Sequence, residues 1–411
     1  MKYTGLPFSF DAPPEDLEMR FVPLRSSDGV DSIAVLYVKK NHQPTIGVVI
    51  VHPRGDYSRF YAAPGMARQG IGVLCMNTRY LNNDIDAQQE RMLLDVAGGM
   101  RYLRDNGMTT RIIFGNSGGG SLTTFYQWQA QSDPGDRLSA TAGGDRLPLD
   151  REDMPLAQGQ IHVAVHVGEG HFMAKAIDPA VVDETDPVPT DLELDMYNPA
   201  NGRRPFPEPS TYDRDWLARY RTAQNERCDR IDAVAKEIIA RRKGESSKTD
   251  STDPEVVFTA ERVRRASPYL VIYRTLADPA YLDPSIDPSD RNLGTSFAEG
   301  IDPLIGNYGM NGLGRCMTPR GWLSTWSPRS TQADMRKSLS HIQIPSLFVS
   351  ASGDSEILPG EFKEIVDSSP ATDKTVTQVE ASHYLRPLHE DDADPRVALD
   401  GILDEWISSR F

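Results

Sequence analysis

Ser117 sits in the run Gly115-Asn116-Ser117-Gly118-Gly119, a G-x-S-x-G pentapeptide. A serine hydroxyl attacks a carbonyl only when a base takes its proton. That base needs an acid to orient it and to steady the charge it acquires. The glycines suit such a serine, because a sharp strand-to-helix turn strains the backbone and neighbouring side chains would collide there. The turn lifts the hydroxyl clear of the sheet, and the helix that follows aims its free N–H groups at the reacting oxygen. A Gly-rich turn can also serve packing alone, so the setting decides. The apolar Arg111-Ile112-Ile113-Phe114 runs into the pentapeptide, and a helical pattern follows at 121–130, as the chemistry requires.

Two further residues complete the set. Ser350-Ala351-Ser352-Gly353-Asp354 ends a strand pattern, and Gly353 turns the chain so that Asp354 stands at the strand's carboxyl end. Ala381-Ser382-His383-Tyr384 follows the next strand in the same manner. A lone loop aspartate is usually solvated, and a lone loop histidine is often a surface group. Taken together they make Ser117 the expected nucleophile, His383 the base and Asp354 the orienting acid. Glu356 is the nearest substitute acid, and Glu169, after the strand ending at Val167, is a more distant one.

Other chemistries fit less well. Asn116-Ser117-Gly118-Gly119-Gly120 is not G-x-G-x-x-G and no GK[ST] follows, so nucleotide binding is not expected. His162 and His166 would share one strand face about 13 Å apart, too far to ligate one ion. No carboxylate cluster joins them, so no metal and no cofactor is expected. His166 and His171 approach the carboxyl end of the sheet and are candidates to line a substrate pocket.

The elements that must position these groups follow from periodicity. Short strands at 21–24 and 32–38 flank the turn signal Asp28-Gly29. The β-branched run 46–51 reads as a strand buried on both faces, followed by a helix at 58–69 and a strand at 72–76. Leu93, Val96, Met100 and Leu103 give 88–104 an amphipathic helical face. Strands at 111–114 and 160–167, and later at 344–350 and 375–379, carry the pattern on, with closing helices at 360–367 and 397–408. The alternation predicts an α/β chain with a doubly wound, mostly parallel sheet. Between 168 and 340 the rhythm is lost. That stretch is Pro- and Asp-rich, with a long helix at 212–243, a solvated loop at 244–254 and a turn-dense segment at 283–302. Gly-rich 307–315 reads as a bending loop.

On these residues the chain resembles the α/β-hydrolase superfamily over 46–131 and from 342 onward. The order Ser117, Asp354, His383 is the order of that superfamily. The resemblance implies an α/β-hydrolase core from 1–167 and 341–411, with a large, mainly helical cap at 168–340 inserted after the sixth strand. It also implies an oxyanion hole of two backbone N–H groups. One belongs to Gly118. The other comes from His52-Pro53-Arg54-Gly55, where the family has a His-Gly motif. Pro53 has no N–H to give, so Arg54 is the expected second donor and His52 a brace for the loop. Tyr308, Trp322 and Trp326 of the insertion, with His166, His171 and Tyr384, are the expected substrate-binding residues of an aromatic-walled pocket.

Composition bounds the rest. The 411 residues carry a formal net charge of −15, which argues against a nucleic-acid partner. The three cysteines, Cys75, Cys228 and Cys316, form no disulfide framework, and a cytoplasmic location is expected. Residues 1–16 lack the pattern of a signal peptide, and no membrane partner is expected. The expected function is hydrolysis of an ester or lactone of a small to medium, apolar or aromatic substrate through an acyl-enzyme. C–C or thioester cleavage by the same triad is the alternative, and a non-catalytic ligand sensor the third reading. A homodimer is left open.

Overall fold

The computed structural model describes residues 14–83, 85–296 and 302–411. Most of the 1–16 segment weighed above as a signal peptide, and the end of the turn-dense stretch, lie outside them. The strands are β1 (Leu17–Arg25), β2 (Asp31–Lys39), β3 (Ile46–His52), β4 (Gly72–Asn77), β5 (Thr110–Ser117), β6 (Gly159–Val165), β7 (Leu270–Val271), β8 (Cys316–Met317), β9 (Ser346–Ala351) and β10 (Lys374–Val379). Eight form one sheet in the order β1-β2-β4-β3-β5-β6-β9-β10, and β7 pairs with β8 apart from it. β2 is antiparallel to β1 and to β4, and the remaining pairings of the large sheet are parallel, so β2 alone is reversed.

The helices are α1 (Ala63–Arg68), α2 (Gln89–Asp105), α3 (Gly119–Gln131), α4 (Glu169–Ala176), α5 (Arg214–Ser246), α6 (Pro254–Arg265), α7 (Pro303–Tyr308), α8 (Pro319–Gly321), α9 (Met335–Leu339), α10 (Pro359–Ser368) and α11 (Pro395–Ser408). Strand alternation divides the core into two layers. Val48 and Ile50 of β3 face α1 and α11 through Met66, Leu399, Leu403 and Trp406. Val49 and Val51 face α2 and α3 through Met92, Val96, Met100, Leu122 and Phe125. Both faces of β3 are therefore apolar, which is why its sequence reads as a continuous β-branched run.

Several elements differ from the sequence expectation. The helix expected at 58–69 covers only Ala63–Arg68, because Pro64 suits the first turn and the preceding residues form turns. The expected loop at 244–254 begins inside α5, which runs to Ser246, and is followed by the unanticipated α6, capped by Asp253 through the Glu255 N–H. α4 also went unread, since eight residues after a strand give too short a window for a periodic signal.

Between β6 and β9 the chain passes through α4 to α9. The buried residues of two apolar clusters lie in this stretch, with Ala142 from outside it packed against the first. One gathers Met173, Cys228, Ile231, Met317, Trp322 and Trp326, and the other gathers Met196, Tyr212, Trp216 and Tyr220. Asp213 starts α5 by accepting from the Asp215 and Trp216 N–H groups. Among the described residues no helix is long and apolar enough to cross a membrane.

Candidate active site

Ser117 ends β5 with φ +52°, a left-handed conformation rare for a residue with a side chain. The strand register shifts between Asn116 and Ser117, so the strain is confined to the turn. Glycine is required on both sides by close approach. A Cβ at Gly115 would lie 2.7 Å from the Gly120 backbone, and one at Gly119 would lie 2.4 Å from the Val51 carbonyl. Asn116 anchors the turn from below. Its Nδ2 donates to the Val163 carbonyl over 2.8 Å, and its Oδ1 accepts from the Tyr57 hydroxyl over 2.8 Å. Tyr57 had no motif to mark it in the sequence.

The carboxyl ends of β9 and β10 bring the other two groups to Ser117. His383 Nε2 lies 3.1 Å from Ser117 Oγ, and His383 Nδ1 lies 2.8 Å from Asp354 Oδ2. An ionised carboxylate only accepts, so it fixes the imidazole proton on Nδ1 and leaves Nε2 to accept from the serine hydroxyl. Asp354 Oδ1 is in turn held by the Glu356 and Ile357 N–H groups over 2.8 and 3.0 Å. Asp354 and His383 are both buried.

The loop after β3 is braced by its own histidine. His52 Nδ1 accepts from the Gly55 N–H over 2.9 Å and from the Arg54 N–H over a long 3.3 Å, and its ring stacks on Tyr57. The proton must therefore sit on Nε2. Burial, with the Arg54 charge beside it, holds the His52 pKa well below the ordinary histidine value, so the ring stays neutral. Gly118 opens α3, so its N–H stands at the positive end of a helix.

The remaining expected residues divide. Tyr384 lies edge-on to the His383 ring, with centroids 4.8 Å apart. Trp326 lies beneath the Arg54 guanidinium, 5.0 Å from the ring centroid. His166 is buried, with Nε2 4.0 Å from Glu169 Oε2. Trp322 and Tyr308 make their described contacts within the 168–340 stretch. Trp322 is fully buried inside the 168–340 stretch and donates to Asp232 over 2.6 Å. Tyr308 packs its ring against Arg274. His171 lies near Lys175 and Glu361, and burial lowers its pKa. His162 packs on Phe348, and burial depresses its pKa to about 3. Of the two substitute acids, Glu356 accepts from the Tyr281 hydroxyl over 3.1 Å, and burial pushes its pKa up to about 7. Glu169 Oε1 lies on the Gly118 side of the site, 2.6 Å from where a Gly118 Cβ would sit.

An eight-stranded sheet of this order, with its second strand reversed and a serine elbow between β5 and α3, is the α/β-hydrolase fold. No family model and no curated protein matches the sequence. Among solved structures the chain is similar to the esterase domain of a Rhodothermus marinus protein at 9% identity and a TM-score of 0.42, covering 95% of this chain and 99% of that one. It is similar to DcsB, solved in complex with its substrate analogue, at 11% identity and a TM-score of 0.49, covering 96% and 100%. A thermophilic esterase from Thermogutta terrifontis is similar at 12% identity and a TM-score of 0.40, covering 95% and 98%.

Proposed function

We propose that this chain is a serine hydrolase that cleaves an ester or lactone through an acyl-enzyme. The Ser117–His383–Asp354 contacts of 3.1 and 2.8 Å carry this reading. In it, His383 takes the proton of Ser117 as the hydroxyl oxygen attacks the carbonyl carbon. Asp354 stabilises the imidazolium. The Gly118 and Arg54 N–H groups hold the oxyanion, the long Arg54 contact to His52 giving way to a stronger acceptor. The imidazolium then protonates the leaving alcohol, and water, activated by the same base, releases the acid.

The stretch 168–340 acts as the cap in this reading. Its own apolar clusters support treating it as a separate unit. Trp326 of the cap, held against Arg54, brings aromatic surface to the loop of the expected oxyanion donor and favours a small to medium apolar or aromatic substrate.

The test is labelling and turnover together. Wild-type protein should react with a fluorophosphonate at Ser117 and hydrolyse p-nitrophenyl esters. Ser117→Ala should lose the label and on the order of 10⁴-fold or more in kcat. Full activity in that variant, or a wild-type serine that never labels, would refute the assignment, and the latter would favour a ligand sensor.

A further inference from the structure

Glu169 opens α4 directly after β6, and its side chain is buried. A Cβ built on Gly118 would stand 2.6 Å from Glu169 Oε1 and 3.1 Å from His52 Nε2. The missing side chain of Gly118 is thus the space the carboxylate uses. Adjacent Cα atoms are about 3.8 Å apart, so Oε1 lies within about 8 Å of the Ser117 Cα. A carboxylate here is electrostatically odd, because it sits beside the N–H expected to hold a developing negative charge.

Its protein partners do not account for it. The Arg54 Nη2 contacts are long, 3.4 Å to Oε1 and 3.5 Å to Oε2, whereas Arg274 closes on Asp178 at 2.8 Å and Arg79 on Asp95 at 2.8 Å. His166 Nε2 stays at 4.0 Å. Among the described residues Glu169 Oε1 has no hydrogen-bond partner, although it is buried. A buried carboxylate oxygen left in that state costs free energy unless something donates to it. The donor cannot be large, because Gly118, His52 and Arg54 already surround it.

We infer that Glu169 is a specificity-determining residue, selecting acyl groups that carry a neutral O–H or N–H donor on the carbon next to the scissile carbonyl. This rests on the serine-hydrolase reading. The carbonyl oxygen goes to the Gly118 amide, which places the adjacent substituent beside Oε1. Arg54, within 3.4 Å of the same carboxylate and stacked on Trp326, offsets its charge and would repel a full ammonium. A hydroxyl or amide N–H is therefore the fitting donor.

The test compares p-nitrophenyl 2-hydroxypropanoate with the isosteric p-nitrophenyl 2-methylpropanoate. Each kcat/KM is divided by the ester's own hydroxide rate. Wild type should favour the hydroxy ester by on the order of 10- to 100-fold, as a hydrogen bond to a charged acceptor predicts. Glu169→Gln should bring the ratio near one, since the amide would turn its oxygen to Arg54 and its NH₂ to the substrate. Glu169→Asp, which withdraws the carboxylate while keeping its charge, should reduce it less. A wild-type ratio near one, or an undiminished ratio in Glu169→Gln, would overturn the inference. If the ratio is near one while Ser117 still labels with fluorophosphonate, only this inference fails. If neither ester is cleaved and Ser117 stays unlabelled, both readings fail.

Discussion

Both oxygens of Asp354 are committed, Oδ2 to His383 Nδ1 and Oδ1 to two backbone N–H groups. Asparagine can keep the Oδ1 contacts with its own oxygen, so Asp354→Asn should fold normally. Its NH₂ would then face Nδ1, drive the imidazole proton to Nε2 and leave nothing to accept from Ser117. We expect kcat to fall by roughly 10⁴-fold with little change in KM, measured on a p-nitrophenyl ester. A fall of less than tenfold would place the orienting role elsewhere. These three residues were legible in the sequence because each ends a strand pattern. Glu169 was legible only as a stray acid, since its meaning depends on Gly118 and Arg54, which lie far from it along the chain. The aromatics of the 168–340 stretch are harder to sort, for a related reason. Aromatic character marks a pocket wall and an interior anchor alike, and the sequence shows neither the Asp232 bond of Trp322 nor the Arg274 contact of Tyr308.

The elbow is built from an apolar strand, a left-handed serine and a helix pressed against the neighbouring strand. Gly119 carries that contact, with the Val51 carbonyl 2.4 Å from where a Cβ would sit. Gly119→Ala must push α3 away from β3. We expect a loss of roughly 1–3 kcal/mol in stability from such overpacking, seen as a lower urea midpoint with unchanged slope. Wild-type stability in that variant would mean that the helix has slack. Elements buried on both faces, such as β3 and β5, were plain in the sequence because burial leaves little but apolar residues. α6 was hidden because only Ala260 of it is buried, so tertiary demand hardly shaped its composition.

At the scale of the whole molecule, the stretch from α4 to α9 is tied back to the sheet by the apolar packing of Met335 and Leu339 against Phe348 and Ile365 and by polar contacts. Lys175 of α4 pairs with Glu361 of α10, whose other oxygen accepts from the Val167 N–H over 2.9 Å. The Lys175 charge lowers the Glu361 pKa to about 2 against burial, from an ordinary value of 4.5. A depressed carboxylate contributes stability above its unfolded pKa and loses it as pH falls through the folded one. Lys175→Met strands the carboxylate and should destabilise the fold by roughly 3–5 kcal/mol at pH 7. The deficit against wild type should shrink as pH falls, beginning above pH 4.5 where the stranded, buried carboxylate takes up a proton and ending near pH 2, and a pH-independent deficit by chemical denaturation would contradict the pairing. This link could not be foreseen, since it joins positions with no shared periodicity. The same long connection has a temporal consequence. His383 lies 266 residues after Ser117. At ribosomal rates of about 5–20 residues per second, roughly 13–53 s separate the two during synthesis. Throughout that interval the nascent chain carries Ser117 without the His383 imidazole, so in the proposed reading the serine gains its base only when the chain is nearly complete.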